Sequence, residues 1–529
     1  MAYSQFIAGH DRHPVASLSN FDSRTAVCPV SATFKPTIML RGVSPDSPFG
    51  ENAAAMLAGF SEIAFESGKA PERSDWRRAV RGTTLSWWSN VKSASMRNDL
   101  VEIDIALNLH RQEMGRAGRT WCIVDATGVP LFHPLQALEV CHSEPYVAAL
   151  NLIESEDSGD TWQLVAEAHV SSARNYRELL DVLGRTSVRL LHRALRTPNA
   201  PRRPWVPHPP ASGRSQTLLR ARMMSRLAWL HARISGEVYG IAILNRSPEQ
   251  FLQSGTCWIP HWIQAPASKG FIADPFFWPG QPGVLLCETY SHRTGLGQLT
   301  VLSIDGGRVT ESEPMPLGLT CHLSYPSTWL EDGRVLCLPE MAGSRRQILY
   351  ELRRGMAPEP LCIISENAAM ADATLMKVNG LYWIAYTDTD IGTYDNLCLR
   401  YAYQLEGPWL SHPGNPVKID ARSSRPGGTP FWVGDQLFRP AQDCSREYGG
   451  AVVINLVKIC TPEDYQEIPT SVLRPDPGGP FPDGLHTLSF GNDCAVIDGK
   501  RISYHPLILF HKIRRALNSA WGKARLNMP

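Results

Sequence analysis

The sequence predicts a protein of mixed class: a small α/β domain followed by an all-β five-bladed β-propeller. Three observations carry that prediction. The first is a repeat. The stretch FIADPFFW (Phe271 to Trp278) returns as SYPSTWLEDG from Ser324, ADATLMKVNG from Ala371, GGTPFWVGD from Gly427 and LHTLSFGN from Leu485. Each copy has a short polar approach, a leading residue, a bulky apolar residue and a turn. The leading positions are Asp274, Tyr325, Asp372, Gly428 and His486, roughly 47 to 58 residues apart, which is the length of one four-stranded propeller blade. The second observation is that apolar strand-like runs alternate with helix-length segments between residues 41 and 196, as in a small α/β domain. The third is TPNAPRRPWVPHPPASGRS, residues 197–215, whose proline and polar content reads as an extended linker between the two.

Bulk properties set the outer limits. A chain of 529 residues has room for two to four domains, each with its own core. Lys plus Arg number 52 and Asp plus Glu 51, so no global charge points to nucleic acid or an acidic polymer. The twelve cysteines show no CxxC and no paired metal-type spacing. They read as reduced thiols of a cytoplasmic protein, without a metal site. No window approaches 18 unbroken apolar residues, and MAYSQFIAGHDRH lacks the basic and apolar regions of a signal peptide.

In chain order, residues 1–40 are polar and unpatterned, a flexible lead or a poorly formed first strand. Within 41–196, DLVEIDIALNL and WCIVDATGVPLFH are strand-like. Residues 175–196 form the clearest helix, with Leu179, Leu183, Val188, Leu191 and Leu195 on one stripe. The propeller unit spans 216–505 and begins with a basic amphipathic helix over 216–234. Strands at 238–244 and 258–263 are expected to lead into the first blade. Residues 506–529 form a basic amphipathic helix with Phe510, Ile513, Leu517 and Trp521 on one face and His511, Lys512, Arg514, Arg515 and Lys523 elsewhere. Such a helix suits an anionic membrane surface, and packing against the propeller is the competing expectation.

Two resemblances accompany these patterns. GVPLFHP, followed by ESEDSGDTWQLVAEAHVSSARNYRELLDVL, resembles the later part of a methionyl-tRNA formyltransferase-type domain. That resemblance implies His133 and Asp157 as catalytic remnants and formyl-tetrahydrofolate as cofactor, but Leu131 stands where the family's oxyanion-binding Asn belongs. The second covers about residues 258–490. ADPFFW, HLSYPSTW, LPEMAGSRRQILYEL, DATLMKVNGLYW, GPWLSHPGNPV, RPGGTPF, LFRPAQDCSREYGG and HTLSF resemble, in that order, the N-terminal domain of the plant glucosamine inositolphosphorylceramide transferase family and its bacterial relatives. It implies a five-bladed propeller related to arabinanase, xylosidase and fructosidase folds.

In a propeller the leading residues of all blades converge at one end of the axis. Asp274 and Asp372 occupy matching positions, with His322, Tyr325, Arg425 and His486 near the others. Neighbouring carboxylates push pKa values apart and can divide acid and base roles. By comparison with propeller glycosidases, Asp274 and Asp372 suit the base and supporting roles. Glu340 is an acid candidate, while SRPGG stands where the usual Glu belongs. Arg425, Arg439, Gln442 and Tyr448 are expected to grip a phosphate or carboxylate. Two Asp and a His are also able to hold a divalent ion. The functional expectation is a protein that acts on or binds a glycan, glycolipid or sugar nucleotide in surface polysaccharide or glycolipid biosynthesis, in the cytoplasm at the inner face of the membrane. One alternative is a sugar N-formyltransferase. Another is a non-catalytic glycan-binding adaptor for a separate glycosyltransferase.

Overall fold

The computed structural model describes residues 37–41, 62–66, 120–126, 128, 147–155, 161–171, 176–196, 201–208, 231, 234–252, 259–264, 270–491, 494–506 and 508–515. The described chain is mostly β structure. From residue 236 onward it forms consecutive antiparallel sheets. Sheet I holds Gly270–Phe277, Val284–Ser291, Leu296–Asp305 and Arg308–Pro314, paired in sequence order. Sheet II runs the same way from Ser324–Glu331 through Arg334–Glu340 and Gln347–Leu352 to Glu359–Ser365. Sheet III is built on Met370–Val378, Leu381–Asp388 and Asn396–Ala402, and sheet IV on Phe431–Val433, Gln436–Asp443, Ala451–Cys460 and Tyr465–Leu473.

Sheet V is assembled differently from the sequence expectation. Gly236–Leu244 and His261–Trp262 do not lead into sheet I. They complete the last sheet by pairing behind Leu488–Phe490 and Ala495–Ser503. The central ladder runs from Ala495 opposite Leu244 to Ser503 opposite Gly236. Joining strands from far ends of the unit closes the array of sheets into a ring.

The cores follow the same circuit. Trp278, Leu286 and Leu299 of sheet I pack with Cys337, Ile348 and Leu352 of sheet II. Leu336 and Leu349 pack with Leu375 and Ile384 of sheet III, Met376 and Trp383 with Leu437 and Tyr465 of sheet IV, and Phe438 and Ile454 with Leu488 and Ile497 of sheet V. Ile241 and Val496 then return to Ile272 and Leu285 of sheet I. Each sheet is therefore apolar on both faces, which explains the near-continuous apolar runs of the inner strands.

The first strands share a local irregularity that the sequence repeat encodes. Asp274, Tyr325, Asp372 and Gly428 have φ values of 51°, 42°, 50° and 131°. In sheets I, II and III the ladder register breaks beside that residue. An L-residue pays for positive φ, most of all a bulky one such as Tyr, so these bulges persist only where surrounding bonds over-determine them. In the fourth copy only glycine fits, since a Cβ at position 428 would lie 1.8 Å from the Leu488 carbonyl oxygen.

Among the described residues of the N-terminal part, Thr37–Arg41 pairs parallel with Glu62–Glu66. A separate antiparallel sheet holds Thr120–Val124, Val147–Ser155, Gln163–Ser171 and Arg203–Pro204. The expected helix forms over Tyr176–Arg196. It buries Leu183, Val188 and Leu191 of its stripe and also Thr186 and Arg189. This N-terminal sheet docks on the larger unit. Ala421 N–H donates to the His169 carbonyl at 2.7 Å, and the Ser171 hydroxyl to the Ser445 carbonyl at 2.7 Å. The strand-like run DLVEIDIALNL, most of the linker and most of the helix expected over 216–234 lie outside the described residues, as do Leu131, His133 and Asp157.

Candidate functional site

The repeat positions come together through side-chain bonds that cross from sheet to sheet. Asp274 Oδ2 accepts from the Tyr325 N–H at 3.1 Å, and Glu340 Oε2 accepts from the Asp372 N–H at 3.1 Å. Tyr325 is fully buried and uses its hydroxyl on Thr374 Oγ1 at 3.0 Å, while accepting from the Gly428 N–H at 2.6 Å. It therefore stitches the leading strands of sheets II, III and IV together and lies beneath the surface a ligand would touch.

Two halves form around this stitch. In one, His486 Nδ1 contacts Asp498 Oδ2 and His486 Nε2 lies 3.7 Å from Asp274 Oδ1. Asp498 Oδ1 also accepts the His486 and Thr487 N–H groups at 2.9 and 3.1 Å, and Thr487 Oγ1 donates to Asp274 Oδ1 at 2.8 Å. In the other half, Asp372 Oδ2 accepts from Arg425 Nε at 2.6 Å and from Gln442 Nε2 at 2.5 Å. Glu340 Oε2 lies 3.8 Å from Arg425 Nη2, and Arg425 Nη1 donates to the Thr393 carbonyl at 2.9 Å. Tyr448 bridges the halves: its ring lies 4.9 Å from the Arg425 guanidinium and 5.1 Å from the His486 ring. Lys500 holds it there by donating to the Tyr448 carbonyl.

Burial and charge divide these groups by protonation. Burial raises the Asp274 carboxyl to about 6, with His486 opposing and Asp498 adding to the rise. Burial works against a charged His486, but Asp498 and Asp274 outweigh it and bring the imidazole to about 9. Burial and the neighbouring Asp372 hold Glu340 well above the usual carboxylate range, Arg425 opposing. Asp372 itself is lowered, because Arg425 overcomes the cost of burial. Glu340 is thus biased toward its protonated form beside an Asp372 biased toward its ionised form, the arrangement by which proteins separate an acid from a base.

Above this floor lies an aromatic rim. Phe271 and Tyr290 stack at 4.6 Å, Phe271 meets Tyr239 at 5.0 Å, and Tyr239 stacks on His486 at 4.8 Å. Tyr290 lies 6.3 Å from His322, and Tyr394 lies 5.6 Å from Tyr448. Phe271, Tyr290, His322, Glu340, Tyr394 and Tyr448 are all partly exposed, while Asp274, Asp372 and Arg425 are buried.

Of the residues expected from sequence, Asp274, Tyr325, Glu340, Asp372, Arg425, Gln442, Tyr448 and His486 meet in this cluster, with His322 on its rim. Arg439 does not. It forms a bidentate pair with Glu467 at 2.6 and 2.8 Å and donates to the Ser423 and Ser424 carbonyls. Arg439 and Gln442 lie three apart on one strand, so alternation sends them to opposite faces. Nor is Arg425 free for a phosphate, since Asp372, Glu340 and Thr393 surround its guanidinium.

Sequence reading missed Glu288, Asp498, Tyr239 and Lys500. Glu288 lies 3.5 Å from His322, has no hydrogen-bond partner for Oε1 among the described residues, and is held well above its usual range by burial and by Asp274. The available signal was an acid in mid-strand among apolar residues, LLCET and AVIDG. Asp274, His486 and Asp498 offer ligand atoms within 4.8 Å of one another, a geometry open to a metal ion. The same contacts are met by a protonated His486 acting as the internal cation. A separate cavity of about 400 Å³ between sheets I and II, lined by Trp278, Met315, Leu352 and Arg354, shares no residue with the cluster.

The similarity to known proteins falls mainly on the β unit. Residues 256–477 match the sequence profile described as glucosamine inositolphosphorylceramide transferase 1, N-terminal. The protein named glucosamine inositolphosphorylceramide transferase 1 from Oryza sativa subsp. indica is 30% identical over 250 residues, covering 44% of this chain and 34% of that protein. Its Arabidopsis thaliana namesake is 28% identical over 261 residues, covering 46% and 34%. The chain thus spans about a third of the length of these relatives. Solved structures similar to part of it include the RS223 β-xylosidase, 12% identical with a TM-score of 0.32 over 44% of this chain and 85% of that one. Another is a family 117 glycoside hydrolase from Zobellia galactanivorans, 11% identical with a TM-score of 0.29 over 44% and 84%.

Proposed function

We propose that sheets I to V are the blades of a five-bladed propeller and that the cluster at their leading strands is a carbohydrate site serving glycan or glycolipid biosynthesis. The observation that carries this reading is the convergence of Asp274, Glu340 and Asp372 around Arg425 and His486 under a partly exposed aromatic rim, with Glu340 shifted up and Asp372 shifted down. Rings offer flat apolar faces to a sugar, and buried carboxyls satisfy its hydroxyls. The similarity to enzymes named for transfer onto inositolphosphorylceramide supports the same substrate class.

In this reading Glu340 donates a proton to a departing or bridging oxygen, and Asp274 takes one from an attacking hydroxyl. Arg425 keeps Asp372 ionised, and Asp372 in turn holds the Glu340 proton in place. The ligand is an uncharged or amino sugar rather than a nucleotide, because both arginines expected to bind phosphate are engaged by carboxylates. A second reading, binding without turnover, is favoured by one observation: Asp372 Oδ2 already accepts two bonds. Thermal shift and turnover assays with neutral oligosaccharides, amino sugars and sugar nucleotides separate the two. Stabilisation by the sugars that is lost in Asp274→Ala supports the site. Stabilisation by nucleotides alone, or by none of the three, sinks it. Turnover lost in Glu340→Gln with binding retained selects the catalytic version.

A further inference from the structure

The C-terminal segment is helical at 506 and 508–515 and lies against sheets V and I, one aromatic layer from the cluster just described. Three residues fasten it. Ile508 is buried against Gly236, where an added Cβ would come within 2.4 Å of it. Lys512 donates to the Ser235 carbonyl, and Arg515 donates to the His292 carbonyl. Arg515 is also close enough to Tyr290 to lower its hydroxyl pKa against the effect of burial. Tyr290 is the rim residue that stacks on Phe271.

The opposite side of the same turns is apolar and uncovered among the described residues. Phe510 is 57% and Ile513 52% exposed, and Arg514 beside them is exposed too. Leu517 and Trp521 continue their spacing in the sequence, with Lys523 and Arg525 among the basic residues that follow. Packing against the sheets and an exposed apolar face are therefore not competing expectations: one edge of the helix does the first and the other edge shows the second.

We propose that this exposed edge docks on an anionic bilayer surface and so holds the mouth of the carbohydrate site at the membrane. Charge complementarity selects that occupant. An apolar strip beside the exposed Arg514, with Lys523 and Arg525 following in the sequence, buries its rings among acyl chains while these cations meet anionic headgroups. The proposal rests on the carbohydrate reading only for the identity of what is presented, a glycan carried on a lipid. Docking itself is independent of it.

The test is co-sedimentation of the full chain with vesicles of phosphatidylcholine alone and with vesicles that also contain phosphatidylglycerol. Binding to the anionic vesicles is expected, weakened by salt and reduced about tenfold or more in Phe510→Asp/Ile513→Asp. Both side chains are exposed, so an unchanged melting temperature and an unchanged soluble-sugar shift are expected of that variant. Arg514→Glu is expected to give a smaller loss that disappears at high salt. Absence of wild-type binding, or equal binding by the double variant, overturns the proposal. So does a dimer in light scattering that the double variant abolishes, because the face would then belong to a second copy. Loss of vesicle binding with sugar binding intact separates this proposal from the carbohydrate site, and loss of sugar binding alone would fall on the site.

Discussion

Two buried arginines, fourteen residues apart, meet carboxylates in opposite ways. Arg439 and Glu467 are both about 1% exposed and matched bond for bond. Lys418 and the Tyr465 hydroxyl also bind Glu467, which falls to about 2 because Arg439 and Lys418 outweigh the cost of its burial. Every polar atom of that acid has a partner, and its environment favours one protonation state. Arg425 holds Asp372 through a single nitrogen, while a second carboxyl, Glu340, stays protonated beside it. Asp274, Glu288 and Asp498 add further acids across the cluster, against His486 as the other cation. A satisfied pair fixes the fold, whereas a cluster with more acids than cations retains protons it can transfer.

The largest effect should come from breaking the satisfied pair. Arg439→Ala strips the buried Glu467 of its bidentate partner, leaving Lys418 and Tyr465 to hold it, and is expected to cost about 3–5 kcal/mol in denaturant unfolding. Arg425→Ala should cost clearly less, because Asp372 keeps Gln442 and can share the Glu340 proton. Equal losses would erase the distinction between the two arginines.

His486 gives the next effect, and its sign is fixed by linkage. Its folded pKa of about 9 lies above the ordinary 6.5. The stabilisation is therefore complete below pH 6.5 and lost as pH rises through about 9, on the order of 3 kcal/mol. Melting temperatures across that window should fall in the wild type and flatten in His486→Asn. Asp274, raised from 3.8 to about 6, also favours the protonated folded state, and its contribution is lost as pH rises between those values.

A third test bears on chemistry. If Glu340 is the acid, Glu340→Gln lowers turnover by about 100-fold or more while sugar affinity changes little. Equal turnover by the variant would leave only the binding role. The smallest effect expected is at Tyr448, where Tyr448→Leu removes the ring between Arg425 and His486. Sugar affinity should fall by about 1 kcal/mol in calorimetry with little change in stability. A large stability loss would show that Tyr448 acts as a brace.

Much of the architecture was legible because the repeat is a local code. Positive φ at Asp274, Tyr325 and Asp372 is the backbone form of the same leading position that the sequence alignment marks. The helix at Tyr176–Arg196 was equally legible from its stripe. Sheet V was misread because strand pairing between residues 244 and 495 leaves no periodic trace in either segment. Arg439 was misassigned because residue type was weighed without strand parity, although alternation with Gln442 already separated them.

The sequence by itself determined the period of the β unit, the positions that lead each copy, and the apolar edge of the C-terminal helix, because each is set by neighbours a few residues away. Tertiary structure decided which acids share a proton, which arginine is occupied by which carboxylate, and that Glu288 and Asp498 join the cluster at all. Those outcomes depend on distances between residues 28 to 224 positions apart, and on burial that raises or lowers a carboxyl only after the sheets have closed around it.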